Sequence, residues 1–118
     1  MRPEEGDLAR LWDIADAGRK ILNSTEDTEF EDVVADEDLR DLLVFRLVLI
    51  GEAVNKISDQ LKIRHPEVLW RAFVNQRNVL IHGYVDVDYE RVWTTVKHDL
   101  PRLLNQIEGI MQSLEGAR

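Results

Sequence analysis

Apolar residues recur every three to four positions through almost the whole 118-residue chain, and this spacing is typical of α-helices. The C-terminal part is the clearest case, because its apolar positions form a single stripe from Tyr89 to Leu114. The sequence does not contain a series of strand-like segments that would build a sheet. The sequence therefore predicts an all-α protein, a four-to-five-helix up-and-down bundle in which residues 1–118 form a single domain.

The first half of the chain is expected to hold two long helices. The predicted elements are a helix over 7–22 with Asp7 as its N-cap, a loop or short helical turn over 26–35, and a helix over 36–64. The second helix is expected to end there because Pro66 disfavours helical geometry in the residue before it. Trp12 falls on the apolar stripe of the first helix, so we expect it to face the core.

The middle of the second predicted helix is apolar nearly all round, since Val44, Phe45, Val48 and Leu49 lie between the residues of its main stripe. One neighbouring helix cannot cover such a surface. This helix therefore lies at the centre of the bundle or shares a face with another subunit, and we predict a symmetric homodimer.

Two further helices are predicted in the second half. One begins near Pro66 and ends where Gly83 allows the backbone to turn away. The last begins after Asp86, a predicted N-cap, and reaches about residue 114. We expect a kink at Pro101, because its ring displaces the hydrogen bond to the carbonyl of Lys97.

Composition narrows the possible chemistry. The chain has no cysteine, which excludes disulfides, thiolate zinc sites and a cysteine nucleophile, and suits a reducing compartment. The acidic N-terminal segment has no apolar core, and nowhere do 18 apolar residues follow one another, so neither a signal peptide nor a membrane span is predicted. We therefore expect a cytoplasmic protein.

The net charge of −8 is unevenly distributed. Residues 1–45 hold 14 acidic and 5 basic residues, whereas residues 46–118 hold 9 acidic and 10 basic residues. The acidic part is explained by a solvated face that keeps the protein in solution. The later part of the chain still allows a polyanion to bind.

Motifs for metal or nucleotide chemistry are missing from the sequence. There is no His-x-x-x-His or Glu-x-x-His spacing, no glycine-rich phosphate loop and no Gly-x-Ser-x-Gly turn. His65 and His98 do not combine with other candidate ligands. The sequence therefore predicts neither a catalytic metal nor a cofactor.

Arg77 interrupts the apolar stripe of the third helix, where a buried guanidinium needs an anion or a buried partner. It either binds a ligand, extends along the edge of the stripe to solvent, or pairs with Glu52 on the second helix. His82 lies five residues on, which is a rotation of about 140° around an ideal helix. The two side chains can therefore converge only if the helix loosens at Gly83 or a second copy of the chain supplies one of them.

The segment Arg77-Asn78-Val79-Leu80-Ile81-His82-Gly83-Tyr84 resembles the signature of the HEPN superfamily, in which an arginine and a polar residue precede mostly apolar residues and a histidine. The tyrosine two places further on is similar to that of the HepT-like toxin branch. The similarity extends over nearly the whole chain, through Arg2-Pro3, Leu11-Trp12-Asp13, Ile50-Gly51-Glu52-Ala53, His65-Pro66-Glu67, Tyr89-Glu90-Arg91-Val92-Trp93 and Asp99-Leu100-Pro101.

This resemblance implies a helical domain that dimerises so that two motifs face each other across a positively charged groove and cut RNA without a metal. Arg77 and His82 match the active pair, Asn78 matches the polar position and Tyr84 matches a tyrosine that is modified. The implied partner is a minimal nucleotidyltransferase antitoxin, which silences the toxin by AMPylation of Tyr84.

The residue types also fit this chemistry on physical grounds. An imidazole exchanges protons near neutral pH, and an arginine fork holds two phosphate oxygens at once. We therefore predict attack of the RNA 2′-hydroxyl on the adjacent phosphorus, helped by His82 and Arg77, to leave a 2′,3′-cyclic phosphate. Two other interpretations are open: a non-catalytic helical dimer that binds a nucleotidyltransferase or a nucleotide, and a purely structural bundle.

Overall fold

A computed structural model describes residues 3–116, with all side chains except those of residues 3–5 and Tyr84. Its α-helices are α1 (Pro3–Ser24), α2 (Phe30–Ala35), α3 (Glu37–Asn55), α4 (Asp59–Arg64), α5 (Trp70–His82), α6 (Tyr89–Thr94) and α7 (Leu100–Gly116). A 3₁₀ turn, Tyr84–Asp86, follows α5, and a π-helical segment, Thr95–Asp99, joins α6 to α7 without a break. The all-α prediction is confirmed. The described chain has about six helices when the α6–α7 unit counts as one.

α3 is the central helix of the fold. It packs against α1 and α5, with smaller contacts to α2 and α6, while α7 covers α1. The predicted stripe of α3 is buried, including Leu43, Leu47 and Ile50. Its neighbours do not cover all of it, because Phe45 is 59% exposed and Leu49 is 41% exposed. The central position is therefore confirmed, and α3 still presents an uncovered apolar strip on the single chain.

The prediction that Trp12 faces the core is wrong, because its side chain is 54% exposed. Ile14 and Ile21 are fully buried on α1 instead, together with Leu11. The period of the helix was predicted correctly, but the buried face is rotated away from the indole. No helix in residues 3–116 has the length and apolar content needed to cross a membrane.

The single helix predicted over 36–64 is divided into α3 and α4. Ser58 is the N-cap of α4, and its hydroxyl accepts a hydrogen bond from the Leu61 N–H. Asp7, the predicted N-cap of the first helix, lies inside α1 and is 2% exposed. Its carboxylate accepts hydrogen bonds from the Ser58 N–H at 2.7 Å and the Ser58 hydroxyl at 2.5 Å. This contact across 51 residues stabilises the break between the two helices.

We expect Asp7→Ala to lower the free energy of unfolding by about 1–3 kcal/mol, since it leaves the part-buried Ser58 N–H without an acceptor. Asp13→Ala is the matched control, because that carboxylate is half-exposed in a surface ion pair. It is expected to change stability by less than about 0.5 kcal/mol. Urea unfolding measures both values, and equal losses would contradict a structural role for the Asp7–Ser58 contact.

Two other helix starts differ from the predictions. Pro66 lies in a turn, and α5 begins only at Trp70, whose indole N–H donates to the His65 carbonyl at 2.9 Å. The last helical unit begins after Asp88 and not after Asp86, because the Asp88 carboxylate accepts from the Arg91 N–H. Both helices begin a few residues later than predicted, and the last helical unit starts at a side-chain cap.

The disturbance expected at Pro101 takes the form of the π-helical segment just before it. The Leu100 N–H donates to the Thr95 carbonyl, five residues back, and Pro101 has no N–H to donate. Beyond this segment α7 buries the predicted stripe, including Leu103, Leu104 and Ile107. The helix therefore continues past the proline.

Candidate active site

The candidate site lies at a close approach of α3 and α5. A Cβ atom added to Gly51 would lie 2.2 Å from the Arg77 Cβ and 2.8 Å from the Phe73 carbonyl oxygen. Real side chains do not tolerate such distances, so only glycine permits this approach of the two backbones. Gly51 on α3 thereby determines how close the Arg77 side chain lies to its neighbours.

Arg77 is held by two side chains. Its Nη2 donates to the Glu52 Oε1 at 3.1 Å, and its Nη1 donates to the Asn78 Oδ1 at 2.8 Å. The side chain of Arg77 is 30% exposed and that of Glu52 is 43% exposed. The pairing with Glu52 that was one of the sequence alternatives is therefore present, and the guanidinium is still open to solvent on one side.

The hydrogen-bond inventory of Arg77 leaves room for a ligand. Of the five N–H donors of an arginine, one bonds Glu52, one bonds Asn78, and the Nε–H is buried without a partner among the described residues. Two Nη N–H groups remain. A guanidinium fixed in this way is suited to bind phosphate oxygens, since little side-chain freedom is lost when the ligand arrives.

His82 is the last residue of α5, and its side chain is exposed. No side-chain hydrogen bond or ion pair to it occurs within the described part of the chain. Gly83 caps the helix with a φ of −126°, and its N–H still bonds the Val79 carbonyl. The helix therefore does not loosen before His82. One copy of the chain keeps Arg77 and His82 on different faces of α5, about 140° apart.

The remaining predicted site residues lie close by in sequence. Asn78 orients Arg77 through its amide oxygen. Tyr84 begins the 3₁₀ turn after α5, and its side chain lies outside the described part of the structure. Because α5 ends at His82, Tyr84 is not part of the helix that holds Arg77.

The other two histidines lie elsewhere. His65 caps the end of α4, and its Nδ1 lies 3.2 Å from the Glu67 Oε1. The pKa of Glu67 is lowered because its carboxylate accepts a hydrogen bond from its own backbone N–H. Desolvation opposes this effect and His65 adds to it. His98 is exposed on the π-helical segment. No group of three potential metal ligands among His, Asp and Glu occurs in the described residues.

Comparison with known proteins shows that the chain is similar to ribonucleases. A family model described as "Ribonuclease HepT-like" matches residues 14–110. "Probable ribonuclease HepT" of Thermococcus cleftensis is 39% identical over 98 residues, which cover 83% of this chain and 89% of that protein. "Putative RNase MJ1216" of Methanocaldococcus jannaschii is 32% identical over 114 residues, which cover 97% and 94%. No solved structure matches. The chain belongs to the HepT-like ribonuclease family.

The structural role of Gly51 is not evident from the segment Ile50-Gly51-Glu52-Ala53 alone. A usable signal was present, since a glycine inside a helix weakens it by about 1 kcal/mol relative to alanine and needs a compensating contact. The contact is the close passage of α5 at Arg77.

Proposed function

We propose that this chain is a single-domain, metal-independent endoribonuclease of the toxin type. The observation that supports it best is the guanidinium of Arg77, which Glu52 and Asn78 hold and which keeps two N–H groups for a phosphate. Because the chain belongs to a ribonuclease family, we take this phosphate to be one of an RNA strand.

The proposed reaction is an internal transesterification. The RNA 2′-oxygen forms a bond to the adjacent phosphorus as the bond from phosphorus to the 5′-oxygen breaks. The His82 imidazole takes the proton of the 2′-hydroxyl as base and then, as an imidazolium, gives a proton to the leaving 5′-oxygen. Arg77 stabilises the charge on the phosphate oxygens in the transition state. The products are a 2′,3′-cyclic phosphate and a 5′-hydroxyl.

The proposal includes a symmetric homodimer that completes the site. In one chain Arg77 and His82 lie on different faces of α5. The exposed apolar residues Phe45 on α3 and Ile81 on α5 lie on the two helices that position Arg77. We propose that a second copy covers these side chains and that Arg77 of one subunit then acts with His82 of the other.

RNA cleavage is tested on one mixed-sequence oligonucleotide prepared both as RNA and as DNA, in the presence of a chelator. We expect the RNA to be cut to products that end in a 2′,3′-cyclic phosphate, and the DNA to remain intact because it lacks the nucleophile. Mass spectrometry identifies the product ends. Cleavage of DNA, or complete loss of RNA cleavage in the chelator, would contradict the mechanism.

The proposed regulation is AMPylation of Tyr84 by a minimal nucleotidyltransferase antitoxin. Tyr84 follows the helix of Arg77 and His82 by two residues. An AMP group there adds an anionic phosphate and a purine next to the motif, so it competes with RNA for the cation.

We expect incubation with the nucleotidyltransferase and ATP to raise the intact mass by whole AMP units and to stop RNA cleavage. Tyr84→Phe is expected to keep its mass, because it lacks the acceptor oxygen. Tyr89→Phe is the matched control and is expected to be modified like the wild type. A mass increase that persists in Tyr84→Phe would place the modification on another residue.

A further inference from the structure

A groove of about 300 Å³ lies between α1 and α3 and adjoins the candidate active site. The two are connected by Glu52, which lines the groove and whose carboxylate accepts a hydrogen bond from Arg77. The charged residues that line it are the three cations Lys20, Arg46 and Lys56 and the three carboxylates Asp13, Asp16 and Glu52.

Each carboxylate of the groove is in an ion pair, whereas two of its cations are not. The ion pairs are Asp13 with Arg10 at 3.9 Å, Asp16 with Lys20 at 2.9 Å and Glu52 with Arg77 at 3.1 Å. Within residues 3–116, the side chains of Arg46 and Lys56 form neither a hydrogen bond nor an ion pair. The Nε–H of Arg46 is also buried without a partner.

This distribution reverses the overall charge of the chain locally. The groove and its ion-pair partners contain five cations and three carboxylates, a surplus of two positive charges in a chain of net charge −8. Unpaired cations in a groove attract a polyanion, and the acidic surface elsewhere repels it. The electrostatics therefore favour a polyanion, such as a chain of phosphates, over a neutral or cationic ligand at this position.

The groove also offers apolar surface, because Leu49 lines it and is 41% exposed. Proteins bind single-stranded nucleic acids by combining cations that contact the backbone with apolar and aromatic side chains that contact the bases. A free phosphate would use only the cations.

We infer that this groove binds the phosphates of single-stranded RNA next to the scissile linkage, with Arg46 and Lys56 as its phosphate-binding residues. The inference rests on the proposed ribonuclease function. In it the bound RNA strand runs from Arg77 along the groove between α1 and α3. The cleaved substrate is accordingly a single strand of several nucleotides, and a dinucleotide is too short to reach both the linkage site and the groove.

The test measures binding of a 12-nucleotide, mixed-sequence 2′-O-methyl RNA, which has no free 2′-hydroxyl and is not cleaved. We expect the double variant Arg46→Gln/Lys56→Gln to bind it on the order of tenfold more weakly. Because two phosphate contacts are lost, the slope of log affinity against log salt should decrease by about 1.4. The control variant Arg91→Gln/Arg102→Gln removes the same charge from α6 and α7 and should keep the wild-type slope.

Equal losses in both double variants, or no loss in either, would overturn the inference, because the effect would then be one of net charge alone. A change in oligomeric state caused by the groove variant would also overturn it, since the groove would be a contact between subunits. If Arg46→Gln fails to fold, Lys56→Glu alone still tests the slope, with an expected decrease of at least about 0.7.

The binding test and the cleavage test can fail separately. If RNA binding depends on Arg46 and Lys56 but no RNA is cleaved, the ribonuclease proposal is wrong. The inference that the groove binds RNA is then still supported. If the double variant cleaves both long RNA and a dinucleotide at the wild-type rates, the ribonuclease proposal stands. The inference that the groove binds RNA is then wrong.

Discussion

His82→Ala is expected to reduce RNA cleavage by about 10²–10⁴-fold, because it removes the group that transfers protons in the proposed reaction. The same substitution should change the free energy of unfolding by less than about 0.5 kcal/mol. Its side chain is exposed at the end of α5 and has no bonding partner within the described residues. A large loss of activity without a loss of stability separates a catalytic role from a structural one.

The control for His82 is His98→Ala. His98 is also exposed, on the π-helical segment, and no hydrogen bond or ion pair joins it to the described residues. We expect the His98→Ala variant to cleave RNA at the wild-type rate. Initial rates on a fluorescent RNA, with unfolding curves for each variant, give the comparison. If the His82→Ala variant cleaves RNA at the wild-type rate, the imidazole of His82 has no role in the reaction.

Gly51→Ala has the second largest expected effect, and it acts on both stability and activity. The new methyl group would overlap the Arg77 Cβ and the Phe73 carbonyl, so α5 must move away from α3. Overpacking of this kind costs about 1–3 kcal/mol. A displacement of Arg77 by roughly 1 Å lowers the rate of a positioned reaction by up to about 10²-fold. Single-turnover rates per folded molecule and urea unfolding measure the two effects.

Gly18→Ala is the matched control for Gly51→Ala. Its Cβ would lie 2.8 Å from the Leu104 Cδ2, but this is the end of a flexible side chain and is not part of the Arg77 site. We expect it to affect stability and to leave the cleavage rate per folded molecule unchanged. If Gly51→Ala is as active and as stable as the wild type, the close packing of α3 and α5 does not position Arg77.

Local sequence patterns predicted the helical fold and the unusual environment of Arg77. The period of three to four residues is a property of each helix alone, so it identified the buried stripes of α3 and α7. Arg77 was recognisable because a cation interrupted such a stripe. Its bond to Glu52 was one of the alternatives, since both residues lie on the facing sides of predicted helices.

Long-range contacts explain what the sequence did not predict. The break between α3 and α4 depends on Asp7 and Ser58, which are 51 residues apart, and no local pattern indicates that they meet. The exposure of Trp12 depends on the rotation of α1 against its neighbours. The role of Gly51 becomes visible only when α5 lies against it. These features belong to helix packing and not to helix formation.

The central claim is that Arg77 of one subunit acts with His82 of another. The most direct measurement mixes unfolded Arg77→Ala and His82→Ala chains in equal amounts, refolds them together and compares RNA cleavage with that of each variant alone. Half of the resulting dimers are mixed, and each mixed dimer has one complete site of two, so the account predicts recovery of about a quarter of wild-type activity. Activity no greater than that of the single variants would contradict a site shared between subunits.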